Sequence, residues 1–391
     1  MTEIKINQEN VKGFQDFSGL EALKRETIKK ILTEKFKTYG FNPAETPVIE
    51  FEEFVKGQNA NDEAISDIFR LKDRGERELA LRYEFTFQLK RLAVGKKLPF
   101  RRYQIGEVFR DEPTSSNRFR QFTQCDVDVI GSTIRDDAEV LKVFSEILKE
   151  LKIPSVIMIN NRKLLNEILE NEGIKDNFTK KQVIREIDKL DKLEEDEVKA
   201  NLVEYNAEKI ISILKKQEKY FEKYESFKEI QELKRFCLMF GFKVEFSPFL
   251  ARGLSYYNGS VFEIRTEEMK ESIAGGGAYL VNGIQSTGIS FGLERLSSLA
   301  KIEPEGIKCL IISLGQDKEA VGFCQELRNE KVSCFVMDKL SKALDYSNQE
   351  KIPFVIFIGK EEIKKKKFKL RNMKSGKEEF LTEEEIVKKL S

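Results

Sequence analysis

Apolar residues recur at helical spacing near the beginning of the chain. They predict a helix from about Leu20 to Tyr39, because they fall on one side of a helix with about 3.6 residues per turn. Ser18 and Glu21 have the spacing of a capping box, and Gly40 is a stop signal. An extended segment is predicted at Thr46–Phe51. The apolar stripe of the helix comprises Leu20, Leu23, Ile28, Ile31, Leu32 and Phe36.

The pattern changes to a period of two between Phe100 and Ile130, which is typical of β-strands. We predict two antiparallel strands joined by the turn-rich segment Asp111–Asn117. One face should pack on a core, and the other should offer arginine, amide and carboxylate groups. The apolar set is Phe119, Cys125, Val127 and Val129. The mostly polar set is Arg118, Arg120, Phe122, Gln124, Asp126 and Asp128.

Residues 160–232 are rich in Lys and Glu, contain no Pro, and carry apolar residues at helical spacing. This composition predicts a helical insertion. Strand signals return at Lys243–Phe246. The segment Arg252–Arg265 is predicted to form a hairpin around Asn258-Gly259, because Asn-Gly is a strong signal for a two-residue turn.

After Glu305, strand-like runs alternate with helical stretches, which predicts a small α/β domain with a largely parallel sheet. The predicted fold class is therefore an α+β core with an antiparallel sheet, a helical insertion and a small C-terminal α/β domain. The predicted domains are 1–159 and 236–305 for the core, 160–235 for the insertion, and 306–391 for the α/β domain.

Composition narrows the location of the protein and the classes of binding site. Of 391 residues, 40% are hydrophobic and 35% are charged, which provides for apolar cores beneath a highly charged surface. The absence of long apolar runs and the polar N-terminal segment predict a cytoplasmic protein without a membrane span.

The five cysteines are scattered, so we expect small buried thiols. The net charge of +1, taken by itself, predicts that the protein does not bind nucleic acid. The run Lys364–Lys367 is interpreted either as a solvated loop or as an RNA-phosphate contact.

The sequence contains no histidine. This excludes Ser-His-Asp and Cys-His catalysis and every histidine-ligated metal site. General acid–base catalysis near neutral pH would have to come from carboxylates with perturbed pKa values, a lysine or the substrate itself. Chemistry that depends on arginines and Mg²⁺ fits the composition better.

With these residues in view, the chain resembles the histidyl-tRNA synthetase family, which belongs to class II of the aminoacyl-tRNA synthetases, over almost its whole length. The opening GFQDF and the segment to Pro47 resemble motif 1, which builds the dimer interface of the family. RRYQIGEVFRDEPTSSNRFRQFTQCDVDVIG, from Arg101 to Gly131, resembles motif 2. ARGLSYYNGSVFEI, from Ala251 to Ile264, resembles the histidyl signature RGLDYY, and GISFGLERL, from Gly288 to Leu296, resembles motif 3. The stretch Ile187–Val198 resembles the insertion domain of the family, and residues 307–391 resemble its anticodon-binding domain.

The resemblance implies ligation of histidine to tRNA(His) by a homodimer, with ATP and Mg²⁺, through a histidyl-adenylate. Fixed guanidinium groups suit this chemistry, because negative charge accumulates on phosphoryl oxygens. Arg252 and Arg110 would act at the α-phosphate, and Arg118 and Arg295 at the terminal phosphates. The implied ATP-binding residues are Arg110, Glu112, Arg118, Phe122 and Arg295. Phe122 would stack under adenine.

For the amino acid, the resemblance implies a site that holds both ends of the imidazole ring. Glu84, Thr86 and Gln124 would surround the ammonium and carboxylate groups, while Asp128 and Tyr257 would hold the ring nitrogens. The implied amino-acid-binding residues also include Arg252, Tyr256 and Tyr279. Because Arg252 and Tyr257 have opposite parity, we expect Arg252 to lie before the strand proper or at a bulge.

Two departures from the family pattern concern substrate identity. Ser255 replaces an acidic residue of the signature, and GGGAYLVNG has Ala278 and Leu280 where the family has arginine and aspartate. We expect a paired loss of opposite charges. The alternatives are a paralogue that activates another amino acid or acceptor, and a non-catalytic regulatory subunit such as the one that serves ATP phosphoribosyltransferase.

Overall fold

The computed structural model describes residues 7–57, 67–115, 118–191, 193–252, 256–304 and 306–391. Contacts divide the chain into two compact units. The first unit contains Met1–Asp16 and Ile28–Ile302, and the second contains Phe17–Thr27 and Glu303–Ser391. Of the helices in the described part of the chain, none is both long and apolar enough to cross a membrane. The five cysteines are buried free thiols, as expected.

The predicted N-terminal helix is confirmed as α1, Gly19–Thr38. Ile28, Leu32 and Phe36 of its apolar stripe are fully buried in the main core. The helix ends at Gly40, whose φ of 75° lies in the left-handed region that favours glycine. The extended segment predicted after it is shorter than expected, since only Ile49–Phe51 forms a strand.

An eight-stranded, mostly antiparallel sheet forms the centre of the first unit in the described chain. Its strand order is β1-β5-β6-β11-β10-β9-β7-β8, and β2, β4 and β3 form a separate small sheet. The predicted strand pair is confirmed, because β5 and β6 pair antiparallel along their full length. The strands are β1 Asn42–Pro43, β2 Ile49–Phe51, β3 Arg70–Lys72, β4 Glu78–Leu81, β5 Phe100–Phe109, β6 Gln121–Ile130, β7 Val156–Asn161, β8 Glu245–Phe246, β9 Tyr257–Thr266, β10 Met269–Val281 and β11 Ile284–Gly292.

The apolar face of β6 packs on the core as predicted. Cys125, Val127 and Val129 are fully buried in one cluster with the apolar side chains of a helix at Ile134–Glu150. The polar face of the same strand is also covered, because Gln124, Asp126 and Asp128 expose less than a tenth of their surface. Alternation in the sequence therefore marks two buried faces here, one apolar and one polar.

Helices dominate residues 162–239, as the composition predicts. Their apolar residues, Ile184, Ile187, Ile210, Ile211 and Leu214 among them, belong to the main core. The predicted insertion boundaries at 159/160 and 235/236 fall inside β7 and inside the helix Phe227–Met239. In chain order the helices of the first unit after α1 are α2 Glu52–Lys56, α3 Leu89–Leu92, α4 Ile134–Glu150, α5 Arg162–Asn171, α6 Asn177–Asp188, α7 Glu195–Val203, α8 Lys209–Leu214, α9 Phe227–Met239 and α10 Leu293–Leu299.

The predicted hairpin at Asn258-Gly259 is wrong, because both residues lie inside the continuous strand β9. The chain reverses instead at residues 267–268 and again at Asn282-Gly283. Asn282 and Gly283 have φ values of 50° and 78°, which a type I′ turn requires. Gly259 has a different role: a Cβ atom there would lie 3.2 Å from the Cβ of Ala278 on the neighbouring strand. Its small size allows close strand packing.

The second unit confirms the predicted α/β domain, although its sheet is mixed and not largely parallel as predicted, since two of its four strand pairings are antiparallel. Its sheet has the order β13-β12-β14-β15-β16, with β12 parallel to both neighbours and the last three strands antiparallel. The strands are β12 Cys309–Ser313, β13 Cys334–Met337, β14 Phe354–Ile358, β15 Phe368–Asn372 and β16 Glu378–Leu381. The helices are α11 Asp317–Asn329, α12 Leu340–Gln349, α13 Lys360–Lys365 and α14 Glu383–Leu390.

Candidate active site

The register of the large sheet aligns polar residues across its central strands. Because side chains alternate along a strand, residues two apart share a face, and this polar face is called the site face below. One row across the strands contains Gln104, Asp126, Ser290, Gly275 and Glu263. The adjacent row contains Arg102, Asp128, Gly288, Gly277 and Val261.

Glycines make room for large side chains on the site face. A Cβ atom on Gly275 would lie less than 3.0 Å from the guanidinium of Arg252, and one on Gly288 would overlap the carboxylate of Asp128. These residues are glycine because the two charged side chains lie flat against the backbone of the sheet.

A cavity of about 190 Å³ opens on the site face. Arg110, Arg118, Arg252 and Arg295, which come from distant parts of the chain, line it, and we call it the arginine cavity. Burial lowers the pKa of Arg295, and repulsion from the other three guanidinium groups adds to the effect, while Glu271 opposes it. Such mutual repulsion marks a concentration of positive charge that suits a polyphosphate.

Each of these arginines is held by a specific partner. Arg110 Nε donates to the carbonyl of Tyr83 at 3.0 Å, and Arg295 Nη1 donates to the carbonyl of Ser272 at 2.7 Å. Arg118 pairs with the carboxylate of Glu112 at 2.7 Å. Phe122 also lines the cavity, and the guanidinium carbon of Arg110 lies 5.0 Å from the centre of its ring. Gln124 completes the set of predicted residues found here.

Arg252 precedes β9, as its parity predicts, and it has a φ of 56°. Its Nη1 donates to Glu263 Oε2 at 2.8 Å, and the same carboxylate binds Arg265 at 2.5 Å. The sequence interpretation missed Glu263, although its position on the site face of β9 follows from the alternation of the strand. Ser255 lies outside the described residues.

A second cavity, of about 540 Å³, is lined by Glu84, Thr86, Tyr83, Tyr256 and Tyr279 among others, and we call it the tyrosine cavity. The Tyr256 hydroxyl donates to Glu84 Oε2 at 3.3 Å. Burial raises the pKa of Glu84 to about 7, although Arg110 and the two hydrogen-bonding tyrosines oppose the shift. Its carboxyl group is therefore divided between neutral and charged forms near neutral pH.

Asp128 lies beneath the cavity surface, with only 3% of its surface exposed. Arg102 Nη2 is 2.7 Å from its Oδ2, and the Tyr279 hydroxyl donates to its Oδ1. Burial raises the pKa of Asp128, while Arg102 and Tyr279 lower it. Tyr257, the first residue of β9, places its ring against Gly277 on the same face. Arg102, which is fully buried, was missed by the sequence interpretation, although it has the parity of the polar face.

A buried carboxyl group lies on the opposite face of the sheet, next to Ala278. Thr287 is the cross-strand partner of Ala278, and its hydroxyl, together with that of Ser260, hydrogen-bonds Asp137. Burial raises the pKa of Asp137 to about 7 despite these bonds. Leu280 is half exposed. Ala278 is therefore paired with a residue, Thr287, that binds a carboxyl group whose protonated form is favoured by burial. The expected paired loss of charges at Ala278 and Leu280 stays a prediction.

Carboxylates at the arginine cavity offer ligands for a phosphate-bound metal ion. The described residues contain no group of three or more Cys, Asp or Glu that could form a metal cage. Glu112 and Glu294 both line the cavity and supply carboxylate oxygens, and Glu294 accepts the Thr123 N–H at 3.0 Å. One or two carboxylates together with substrate phosphates are the usual ligands of Mg²⁺, so these residues fit a phosphate-bound Mg²⁺.

The antiparallel sheet with helices, together with the small α/β domain, has the architecture of a class II aminoacyl-tRNA synthetase, as expected. Residues 13–296 match the histidyl-tRNA synthetase family model, and residues 308–391 match an anticodon binding domain. The chain therefore belongs to the histidyl-tRNA synthetase family.

The similarity to known relatives extends over nearly the whole chain. Histidine–tRNA ligase 1 of Bacillus cereus is 34% identical, covering 95% of this chain and 97% of that protein. Histidine–tRNA ligase 2 of Shouchella clausii is also 34% identical, covering 96% and 99%. The crystal structure of histidyl-tRNA synthetase from Nostoc sp. superposes with a TM-score of 0.86 at 26% identity, covering 99% of both chains. A Bacillus halodurans structure described as an ATP phosphoribosyltransferase regulatory subunit/histidyl-tRNA synthetase shares the fold, with a TM-score of 0.73 at 20% identity, covering 91% of this chain and 99% of that one.

Proposed function

We propose that this protein joins histidine to tRNA(His) in the cytoplasm, using ATP and passing through a histidyl-adenylate. The observation that carries the proposal is the convergence of Arg110, Arg118, Arg252 and Arg295 on one cavity of a sheet whose same face carries Asp128 and Gln124. Relatives named histidine–tRNA ligase, aligned over nearly the whole chain, support the choice of substrate.

The arginine cavity would bind ATP. Adenylation requires an oxygen of the histidine carboxylate to attack the α-phosphorus, with pyrophosphate as the leaving group. Arg252 and Arg110 are assigned to the α-phosphate, where charge builds up in the transition state. Arg118 and Arg295 are assigned to the terminal phosphates, with Phe122 beneath adenine. Their fixed partners hold the guanidinium groups in place before the substrate arrives, which reduces the reorganisation needed at the reaction.

Glu112 has a double assignment at the same cavity. Its carboxylate binds Arg118 and so helps to orient the motif 2 loop around ATP. Glu112 and Glu294 would also hold a Mg²⁺ ion that is bound through the phosphates. That ion would neutralise part of the charge on the polyphosphate.

Histidine would enter between the two cavities. Glu84, Thr86 and Gln124 are assigned to its ammonium and carboxylate groups. Because burial raises the pKa of the Glu84 carboxyl group, an incoming ammonium would favour its ionised form and form a charge-assisted hydrogen bond with it.

The ring end of histidine would meet Asp128 and Tyr257, with Tyr256 and Tyr279 as further walls. Asp128 is oriented by Arg102 and Tyr279, so the ring would find an acceptor that cannot rotate away. A buried polar site of this kind rejects side chains that leave its groups unpaired.

The remaining assignments concern RNA and assembly. Residues 306–391 would bind the anticodon region, with the exposed run Lys364–Lys367 as a phosphate contact. A homodimer through the motif 1 segment is supported by exposed apolar residues that directly follow it, because Val48, Ile49 and Phe51 expose 38–51% of their surface. Size-exclusion chromatography with light scattering would measure the mass of the assembly.

ATP–pyrophosphate exchange, measured with each of the twenty amino acids, tests the central proposal. Exchange that depends on histidine alone, followed by charging of tRNA(His), is the expected result. Exchange with another amino acid would instead identify a paralogue with a different substrate. The absence of exchange with all twenty would favour a regulatory subunit.

A further inference from the structure

Asp126 lies beside Gln124, a residue assigned to the amino-acid substrate, but it contacts no substrate itself in the proposed mechanism. It is two residues beyond Gln124 on β6, so both side chains lie on the site face. Gln124 Nε2 donates to Asp126 Oδ2 at 2.8 Å, and both residues are more than nine-tenths buried. The contact therefore joins an amide at the cavity wall to a carboxyl group behind it.

This contact determines which end of the Gln124 amide points away from Asp126. An amide has a donor end and an acceptor end, whereas an ionised carboxylate can only accept. If the amide turned over, two oxygen atoms would face each other in a buried site and both would lack a donor, which is unfavourable. The nitrogen end must therefore face Asp126, and the Gln124 oxygen remains available to a ligand.

Asp126 is itself fixed from the other side. Gln104 lies directly opposite it in the register of β5 and β6, and Gln104 Nε2 donates to Thr46 Oγ1 at 2.8 Å. Within the described chain, Gln104 Oε1 and Asp126 Oδ1 are buried acceptors without a hydrogen-bond partner. Ser290, the neighbour of Asp126 on β11, also hydrogen-bonds its carboxyl group, and a proton on Oδ1 would give that group a donor of its own.

The electrostatics of Asp126 permit this proton. Burial raises the pKa of Asp126 to about 7; Arg102 opposes the shift and Asp128 adds to it. A carboxyl group that donates through Oδ1 can still accept from Gln124 through Oδ2. The orientation of the Gln124 amide is therefore the same in the ionised form of Asp126 and in the form protonated on Oδ1.

We propose that Asp126 is a positioning residue for the amino-acid substrate, because it fixes the Gln124 amide with its oxygen toward the α-ammonium group. An ammonium group has donors only, so a reversed amide would offer it nothing. The inference rests on the proposed function, which assigns Gln124 to that end of histidine. It predicts that Asp126 affects binding of the ammonium and has no effect on ATP.

Asp126→Leu removes the acceptor with a bulkier side chain of the same branching at Cγ, and Asp126→Asn retains an acceptor. In histidine-dependent exchange, we expect the Leu variant to raise the histidine KM at least tenfold with the ATP KM within twofold. The Asn variant should keep the histidine KM within threefold. If Asp126→Leu fails to fold by circular dichroism, Asp126→Ala replaces it, since a water molecule admitted there imposes no amide orientation. An unchanged histidine KM in the folded variant overturns the inference.

A double-mutant cycle tests the route through Gln124. In the Gln124→Met background, which lacks the amide, adding Asp126→Leu should change the histidine KM less than twofold. Multiplicative effects of the two substitutions would show that Asp126 acts independently of Gln124 and would overturn the proposal.

Two competitive inhibitors locate the effect on the substrate. Histidinol keeps the ammonium group, whereas imidazolepropionate lacks it and keeps the ring. Asp126→Leu should weaken histidinol at least tenfold and leave imidazolepropionate within twofold. Equal weakening of both would overturn the inference. Lack of histidine-dependent exchange in the unmodified protein would instead refute the proposed function, so the two failures are distinguishable.

Discussion

Replacement of the buried carboxyl group of Asp137 provides a quantitative test of the structure. Asp137 exposes 3% of its surface, and hydroxyl groups of Thr287 and Ser260 hydrogen-bond it beneath the sheet. Its pKa rises from 3.8 to about 7, chiefly through burial, and the charges of Asp136 and Glu229 add to the shift. Asp137→Asn keeps the shape of the side chain and removes its titration.

The sign of the effect follows from proton binding. Between pH 4 and pH 7 the folded protein holds a proton on Asp137 that the unfolded chain has lost, so stability falls as pH rises through this range. Above pH 7 Asp137 is ionised in both states, and the full free-energy cost of burying its charge remains. A shift of roughly 3 pKa units corresponds to about 4 kcal/mol at pH 8, and to about 2 kcal/mol at pH 5. The asparagine variant has no such cost at either pH, because its side chain does not titrate.

The free energy of unfolding of Asp137→Asn, relative to that of the original protein, should therefore rise by about 2 kcal/mol between pH 5 and pH 8. At roughly 2 °C per kcal/mol, the difference in Tm should increase by about 4 °C. Thermal unfolding followed by circular dichroism measures this difference. Asp196→Asn is the matched control, because the Asp196 side chain is 98% exposed. Equal differences in Tm at the two pH values would refute the assignment of a protonated Asp137.

Four further predictions address activity. Arg252→Ala should lower the kcat of adenylation by at least about 100-fold with little change in the histidine KM, because the interaction is made in the transition state; near-normal kcat would contradict this role. Asp128→Asn should raise the histidine KM about tenfold and leave the ATP KM nearly unchanged, and equal losses would indicate a structural role. Alanine at Lys364, Lys365 and Lys367 should raise the KM for tRNA several-fold while pyrophosphate exchange stays normal; an unchanged tRNA KM would mean that the run is only solvated. If the absence of histidine lets the cell make this enzyme when charged tRNA(His) is scarce, its synthesis should persist during histidine starvation, whereas that of histidine-containing proteins falls. Inserted histidine codons should abolish the persistence, and a parallel fall would exclude the idea.

Local periodicity in the sequence was sufficient to predict the main elements. The apolar stripe of α1, the alternation along β5 and β6, and the alternating strands and helices after residue 306 each reflect a repeat that neighbouring residues determine. The motifs also singled out four arginines for the phosphate chemistry, because each motif keeps its spacing along the chain. The structure finds Arg110, Arg118, Arg252 and Arg295 on one cavity.

Pairing between distant strands decided what the local pattern could not. Asn258-Gly259 has the sequence of a turn, yet β9 continues through it with a register shift against β10 between Tyr257 and Val261. Pairing of the rest of β9 with β7 and β10 outweighs the preference of two residues. The partners of the site, Arg102 beneath Asp128 and Glu263 beside Arg252, likewise come from other strands or from a later part of the chain. Neither pair lies within a short segment of the sequence, so the local pattern could not reveal it.

The burial of the polar face is the clearest case of tertiary control. The sequence by itself determined that Gln124, Asp126 and Asp128 share one face of a strand. Only the fold decided that this face is covered, so that its carboxyl groups have raised pKa values and specific partners. The reason is physical: a period of two fixes the direction of each side chain, whereas desolvation depends on which other strands and loops lie above it.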